Sequence, residues 1–270
     1  MTPSADDWLA VCRRATAGLR DVLDRVPTTD QRAVEVGRGE GGDNSLVIDT
    51  AAEDVIFAEL DALHARGDRF VAVSEERGEV DYGDPGVRVV IDPIDGSLNA
   101  KRTLPAYSMS FAVASGGTMA DVDVGYVYDF GNGEEWSAVR GRGATLNGVP
   151  LNPALPERRG ADGRVEVLGI ESADPRWVAE VAGDLVPLAY RLRALGSIAI
   201  TLCQVAAARL DAMASLKRAR AVDAAAGQLI AREAGALYAP LDMELDVRPR
   251  APIMAARSQE TLDALAAVLS

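Results

Sequence analysis

The chain is poor in the residues that most often carry chemistry alone. Its 270 residues include two cysteines, Cys12 and Cys203, and one histidine, His64, and aromatic residues make up 5%. One cysteine in each half reads as two buried thiols rather than a disulfide or metal pair. His64 falls in a helix-like surface segment and is assigned no role. No apolar run approaches the roughly 20 residues that cross a bilayer, and the N-terminus lacks the basic-then-apolar layout of a leader. Lysine is nearly absent. Lys101 and Lys217 are the only lysines among 28 basic residues, set against 41 acidic ones, for a net charge of −13 and a pI of 4.6. Such a surface repels nucleic acid and anionic membranes. The expectation is a cytoplasmic protein with neither as a partner. Two readings of the charge stay open: a halophilic protein adapted to high internal salt, where self-repulsion is screened, or a GC-rich genome that writes Arg for Lys.

What is present is enough apolar material for a core, 48% of residues, arranged periodically. Helical spacing runs over 5–25 (Trp8, Leu9, Val11, Cys12, Leu19, Val22, Leu23) and over 48–66. Between them, 27–44 is polar, carries Gly37, Gly39, Gly41 and Gly42, and reads as a mobile loop or hairpin. Strands are expected at 69–74, 87–91, 107–114 and 122–128, followed by a hairpin of 136–139 with 144–146 and an Asn147-Gly148 turn. The second half alternates strands (164–170, 188–195, 210–216, 252–256) with helices (175–182, 196–208, 222–234, 259–269). The segment 151–163, rich in Pro, Arg and Gly, divides an N-terminal α+β half (1–150) from a C-terminal α/β half (151–270) within one compact unit. The mixture predicts an α+β fold of layered sheets covered by helices.

The informative residues are carboxylates at strand ends. Val89-Val90-Ile91 runs into Asp92-Pro93-Ile94-Asp95-Gly96-Ser97. Pro93 restricts the turn, so the two acids cannot roam, and the carbonyl of Ile94 adds a third oxygen for a hard cation. Gly96 allows close backbone approach, and the amides of Gly96 and Ser97 could face a phosphate oxygen. An ordinary Asp-Pro-x-Asp-Gly surface turn is the alternative. Val71-Ala72-Val73-Ser74 ends likewise in Glu75-Glu76. If the two strands are parallel neighbours, their acids meet at one sheet edge, which is unfavourable without counter-charge and is resolved by divalent cations. A solvated strand end is the alternative for the glutamates. Asp223 opens a helix followed by Ala224-Ala225-Ala226-Gly227, as an N-cap or as a ligand. Ser197, after Gly196, opens another whose amides suit an anion or a simple cap.

Taken in order, these motifs resemble the inositol monophosphatase superfamily of metal-dependent phosphomonoesterases, in particular its archaeal-type inositol monophosphatase/fructose-1,6-bisphosphatase branch. Asp92 to Ser97 matches the family's Asp-Pro-Ile/Leu-Asp-Gly-Thr/Ser motif, and Asp223 to Gly227 its Asp-x-Ala-Ala-Gly motif. Glu75-Glu76 matches its glutamate pair. Asp49 stands for its early acid, although the accompanying threonine is absent. Gly143-Ala144 with Asn147-Gly148, and Arg193 to Ser197, are also similar. The resemblance implies an αβαβα sandwich of the sugar-phosphatase type and two or three Mg²⁺ per subunit. Their ligands would be Glu75, Asp92, the Ile94 carbonyl, Asp95 and Asp223, with Asp43 of the glycine-rich loop recruiting a third ion. Asp49, Glu75 and Ser97 would be catalytic, orienting and deprotonating a metal-activated water, with Ser97 paired to Asp49. Substrate contacts would come from Asp95, Gly96, Ser97, Gly196, Ser197, Lys217 and Arg218. A homodimer is implied as well.

The substrate is read from one further position. Inositol-selective relatives place an acid about seven residues before the second motif's Asp, where this chain has Leu216. Lys217, Arg218 and Arg220 surround it and suit a second phosphate, or are solvated strand-end charges. The expected function is therefore a Mg²⁺-dependent phosphomonoesterase acting on fructose 1,6-bisphosphate and/or inositol 1-phosphate. A 3′(2′)-phosphonucleotide phosphatase on the same metal core is the alternative. An inactive phosphatase-like sugar-phosphate-binding protein is the alternative of another class.

Overall fold

In the computed structural model, which describes residues 3–38 and 44–269, helix α1 (Ala5–Arg25) starts at a reciprocal cap. Ser4 Oγ accepts from the Asp7 amide at 3.2 Å, and the Ser4 amide donates to the Asp7 carboxylate at 3.0 Å. It ends before Pro27, whose ring disfavours helical geometry at the preceding residue. The expected loop or hairpin then resolves into a one-turn helix α2 (Thr29–Arg32) and an antiparallel pair, β1 (Glu35–Arg38) and β2 (Asn44–Leu46). Asp43 lies outside the described residues.

Helix α3 (Val47–Ala65) follows. Then come β3 (Val71–Ser74), β4 (Gly78–Asp81), β5 (Arg88–Asp95), the short helix α4 (Ser97–Lys101), β6 (Ser108–Ala114), β7 (Val122–Asp129), β8 (Glu134–Val139), β9 (Ala144–Leu146) and β10 (Val149–Pro150). The last eight strands form one sheet in the order β10-β9-β8-β7-β6-β5-β3-β4, antiparallel except where β3 runs parallel to β5. The remaining chain gives β11 (Val165–Glu171), α5 (Pro175–Leu185), β12 (Ala189–Arg193), α6 (Ile198–Ala206), β13 (Ala212–Ser215), β14 (Ala219–Arg220), α7 (Ala221–Glu233), β15 (Leu237–Ala239), β16 (Arg250–Ala251), β17 (Met254–Ala256) and α8 (Gln259–Val268). Its five-stranded sheet has the order β12-β11-β13-β17-β15, with β11 parallel to both neighbours. The fold class is α+β, as expected.

Strand alternation explains the layers. Along β3 and β5, Ala72, Val89 and Ile91 join a core with Trp8, Leu19, Ile56 and Leu60 of α1 and α3. Val71, Val73 and Val90 point the other way, into a core with Leu202, Val205, Leu229 and Ile230 of α6 and α7. On the far side of the second sheet, Leu168, Ile170, Ala212 and Ala214 pack with Leu185 and Leu265 of α5 and α8. The order is thus helices, sheet, helices, sheet, helices. The central helices lie close because the chain is small there. A Cβ on Gly125 of β7 would come within 2.7 Å of the Ala226 carbonyl, and one on Gly227 within 2.9 Å of Leu202.

Three departures have local causes. β4 (Gly-Glu-Val-Asp) has no counterpart among the expected strands because it is a short edge strand whose Glu79 and Asp81 are exposed. β5 continues through Pro93 because the ladder is bulged there. α4 is too short to show a helical period. Among the described residues, no helix is long and apolar enough to cross a membrane.

Candidate active site

The site forms where β3, β5 and β11 end and where α6 and α7 begin. Residues three apart on a regular strand face opposite sides. In β5, Asp92 pairs with Ser110 and Asp95 with Ser108, so three steps on β5 match two on β6. This extra residue, a β-bulge containing Pro93, turns both acids into one cleft. The turn is fastened by its own groups: the Ile94 amide donates to Asp92 Oδ1 at 3.0 Å, and Ser97 Oγ donates to the Ile94 carbonyl at 3.0 Å. Gly96 adopts φ 89°, and a Cβ there would meet the carbonyls of Ala106 and Gly196 at 2.9 and 3.0 Å, so glycine is required twice over.

The parallel register of β3 and β5, with Ser74 opposite Ile91, puts Glu75 beside Asp92. The strand end is clamped to α3: Ser74 Oγ donates to Glu53, which also accepts from the Arg77 amide at 3.1 Å and pairs with Arg77 Nε at 3.2 Å. Asp223 enters from the first turn of α7, where its Oδ2 accepts from the Arg220 amide at 2.9 Å. Glu75, Asp92 and Asp223 thereby present carboxylate oxygens within 4.8 Å of one another, all three buried. Arg220 lies among them, with Nη1 2.6 Å from Glu75 and Nη2 3.0 Å from Asp223.

Such crowding shifts protonation. Burial, reinforced by Glu75, Asp95 and Asp223, holds Asp92 well above the usual carboxylate range. Burial raises Glu75 and Asp95 as well. Burial works to lower Arg220, but the charges of Asp223, Glu75 and Asp92 outweigh it and raise the guanidinium above its ordinary value.

Asp95 is tied to the second half of the chain. Its Oδ2 accepts from the Ala199 amide at 2.8 Å and from the Ser197 hydroxyl. Ser197 Oγ also accepts from the Ile200 amide at 3.1 Å, capping α6. The hydroxyl proton is committed to Asp95 and the residue is 1% exposed, so Ser197 holds Asp95 in place and does not line the cleft. Gly196 lines the cleft, but its amide is already bonded to Glu171 Oε2 at 2.9 Å. Arg218 is not among the residues that line the cleft: its Nε and Nη2 donate to the Arg250 carbonyl at 3.0 and 2.8 Å, on the β14–β16 side. Lys217 does line the cleft, with Nζ 5.2 Å from the Trp177 ring.

Asp49 sits in the first turn of α3, where Oδ2 accepts from the Leu46 amide at 3.0 Å and Oδ1 is buried without a partner. Burial lifts it to about 7, with Glu76 and Glu53 adding to the rise. The expected Ser97–Asp49 pair is not formed, because each group is used by its own turn: Ser97 by Ile94, Asp49 by Leu46.

The cleft of about 700 Å³ also holds residues that sequence reasoning missed. Glu171 accepts from the amides of Leu195 and Gly196 at 3.1 and 2.9 Å and from Thr201 Oγ1 at 2.6 Å, and burial brings it to about 7. The signal was available: an apolar run, Val167 to Ile170, ending in an acid, as at Glu75 and Asp92. Arg220 was read as a basic neighbour, although its spacing of three from Asp223 allowed the pair. Leu216 packs against the outer core and offers the cleft nothing polar.

The comparisons agree with this geometry. Residues 6–270 match the family model described as the inositol monophosphatase family. The chain is 32% identical over 262 residues to the fructose-1,6-bisphosphatase/inositol-1-monophosphatase of Archaeoglobus fulgidus, covering 94% of each chain. It is 34% identical over 208 residues to the Nus factor SuhB of Escherichia coli K12, covering 76% of this chain and 74% of that one. Among solved structures, an inositol monophosphatase-fructose 1,6 bisphosphatase superposes with a TM-score of 0.82 at 27% identity, covering 97% and 99% of the two chains. Mycobacterium tuberculosis SuhB gives 0.70 at 28% identity over 95% and 93%. The chain belongs to the inositol monophosphatase family, and its class is that of a phosphatase.

Proposed function

We propose that the chain is a Mg²⁺-dependent phosphomonoesterase that hydrolyses sugar or inositol phosphates, with fructose 1,6-bisphosphate and inositol 1-phosphate as the leading substrates. The observation that carries this reading is the convergence of Glu75, Asp92 and Asp223 within 4.8 Å, with Asp95 fixed beside them. An all-oxygen set of buried acids suits a hard divalent cation, and the unpartnered Oδ1 of Asp49 fits a site that expects a further donor or ion nearby. Glu75, Asp92, the Ile94 carbonyl, Asp95 and Asp223 would hold two or three Mg²⁺. Bound there, the ions neutralise the phosphate and make a water more acidic.

The chain's own groups supply the rest. The bulge and the Ile94 and Ser97 bonds hold Asp92 and the Ile94 carbonyl in place. Gly96 and Ser97, at the start of α4, face the phosphoryl group. Glu75 and Asp49 would orient the attacking water and take up its proton. Catalysis is mainly positioning and charge neutralisation. Lys217 at the rim is placed for a second phosphate. Glu171 and Asp174 also line the cleft, but both already accept hydrogen bonds from the protein, so they do not simply replace the acid missing at Leu216. The Trp177 indole beside Lys217 is the one feature favouring a 3′(2′)-phosphonucleotide, whose base could stack there. The further reading is a cytoplasmic homodimer adapted to salt, checked by sizing at low and molar KCl.

The test is phosphate release with Mg²⁺ at high salt from fructose 1,6-bisphosphate, inositol 1-phosphate and 3′-phosphoadenosine 5′-phosphate. The first two are expected to turn over fastest. Preference for the nucleotide would replace the substrate reading, and no turnover of any would leave the inactive binding protein.

A further inference from the structure

We infer that Arg220 is an internal counter-cation that competes with Mg²⁺ for the carboxylates and hands over to the substrate phosphate once the ions are bound. The inference rests on the metal-dependent phosphatase reading above. The guanidinium does not lie beside the ligand set; it shares its oxygens. Nη1 stands 2.6 Å from Glu75 Oε1, and Nη2 and Nε stand 3.0 and 3.2 Å from Asp223 Oδ1. These two acids, with Asp92, are the ones whose oxygens converge within 4.8 Å. A Mg²⁺ ion takes oxygens at about 2.1 Å in a demanding octahedron. An ion that takes Glu75 Oε1 or Asp223 Oδ1 replaces a guanidinium contact, and one on the other oxygen of either acid meets the same positive charge close by, so the side chain opposes loading in either case.

Charge decides where it goes. Glu75, Asp92, Asp95 and Asp223 carry four negative charges when ionised, and Arg220 returns one. Two Mg²⁺ ions balance the four acids by themselves. Arg220 is then a positive charge in the cleft wall whose contacts at Glu75 and Asp223 are weakened, held by its backbone at the start of α7. A planar guanidinium is a strong partner for phosphate, so the dianion is the acceptor that replaces the lost carboxylates. Two linkages follow. Without substrate, Arg220 weakens Mg²⁺ binding. With phosphate present, that opposition is relieved, and phosphate and Mg²⁺ strengthen one another's binding through this residue. Removing the side chain leaves the cap intact, because the bond that serves α7 is from the Arg220 amide to Asp223.

The experiment is calorimetric titration of Mg²⁺ into full-length protein, with and without inorganic phosphate, for wild type, Arg220→Gln and Arg220→Lys, together with melting in EDTA. Arg220→Gln is expected to bind Mg²⁺ at least fivefold more tightly than wild type, to melt earlier in EDTA, and to lose most of the gain that phosphate gives the wild type. Arg220→Lys keeps the charge without the fork and should fall between the two; it carries the test if the glutamine variant does not fold. Unchanged or weaker Mg²⁺ binding in Arg220→Gln, or an undiminished phosphate effect, overturns the inference. Turnover of the substrate panel is measured on the same wild-type preparation. Loss of turnover with the Arg220 shifts intact removes the phosphatase reading alone, and no saturable Mg²⁺ binding by wild type removes both.

Discussion

The stability of the metal-free protein should fall as the pH rises from about 5 to 8, and Mg²⁺ should cancel that fall. Asp92, Glu75 and Asp95 are buried together and raised above the usual carboxylate range, chiefly by burial, and Asp49 is brought to about 7. A carboxyl raised in this way binds its proton more tightly folded than unfolded. Its contribution to stability is complete below the unfolded value, about 4. It is lost as the pH climbs through the folded value, about 7 for Asp49. Divalent ions replace those protons as the counter-charge. At pH 8, with free Mg²⁺ at about 100 times its dissociation constant, the gain is about 2.7 kcal/mol, or roughly 5–10 °C for a chain of this size. Below the folded pKa values each displaced proton weakens Mg²⁺ binding about tenfold per pH unit, so two displaced protons weaken it about a hundredfold. At pH 5.5 the same Mg²⁺ concentration should therefore raise the melting temperature by no more than about 1–2 °C. The assay is thermal melting with EDTA or Mg²⁺ at pH 5.5, 6.5, 7.5 and 8 at constant ionic strength. An equal Mg²⁺ effect at pH 5.5 and 8 would falsify the view that protons and ions compete for these acids.

Three further outcomes are expected. Asp95→Asn keeps shape but removes a ligand charge, and should lower kcat by at least about a hundredfold, equivalent to a few kcal/mol of transition-state stabilisation, with the circular dichroism spectrum unchanged; persistent activity would remove Asp95 from the ligand set. Ser197→Ala deletes both a helix cap and the hydroxyl that holds Asp95. It should cost about 1 kcal/mol of stability and weaken Mg²⁺ binding roughly 10–100-fold, and a lower melting temperature with wild-type Mg²⁺ affinity would reduce the residue to a cap. With a net charge of −13, unfolding should shift to higher denaturant as KCl rises from 0.1 to 2 M, because the screening length falls from about 10 Å to below 3 Å; a flat series would favour the arginine-for-lysine composition reading.

The parts of the site that were legible in the sequence are those carried by a single segment. An apolar strand ending in an acid identified Glu75 and Asp92, and Pro93 marked the place where Asp95 could be turned to the same side as Asp92. The shorter pattern at Val167 to Glu171 is interrupted upstream by Glu166 and is followed by no proline or glycine turn to mark it, yet the structure puts Glu171 in the cleft with the others. What no segment shows is which distant groups its side chains will meet. Ser197 reads as a cap and is one; that its hydroxyl also holds Asp95, 102 residues away, depends on α6 entering between two sheets at that level. Arg218 and Arg220 are equivalent as letters, yet Arg218 precedes β14 and bonds the Arg250 carbonyl, whereas Arg220 ends β14 at the start of α7 and reaches the acids.

The same logic limits what one aligned position can say about the substrate. Leu216 has no carboxylate to offer a sugar hydroxyl, which by itself argues for a phosphate-gripping, bisphosphate-type cleft. The cleft wall is built from several strand ends, however, and β11 and the start of α5 bring Glu171 and Asp174 to it from a different part of the chain. Those two are not interchangeable. Glu171 is saturated by two amides and a hydroxyl, and Asp174 is engaged by the amide and guanidinium of Arg176. Lys217 brings an exposed ammonium to the cleft, 5.2 Å from the centre of the Trp177 ring. Substrate choice should therefore respond to Lys217 more than to either acid: Lys217→Met should raise KM for fructose 1,6-bisphosphate by about tenfold, the loss of one charge-assisted contact of about 1.5 kcal/mol, and leave KM for inositol 1-phosphate within about twofold. Equal changes for the two substrates would mean that Lys217 acts on the shared phosphate and that the second phosphate is gripped elsewhere.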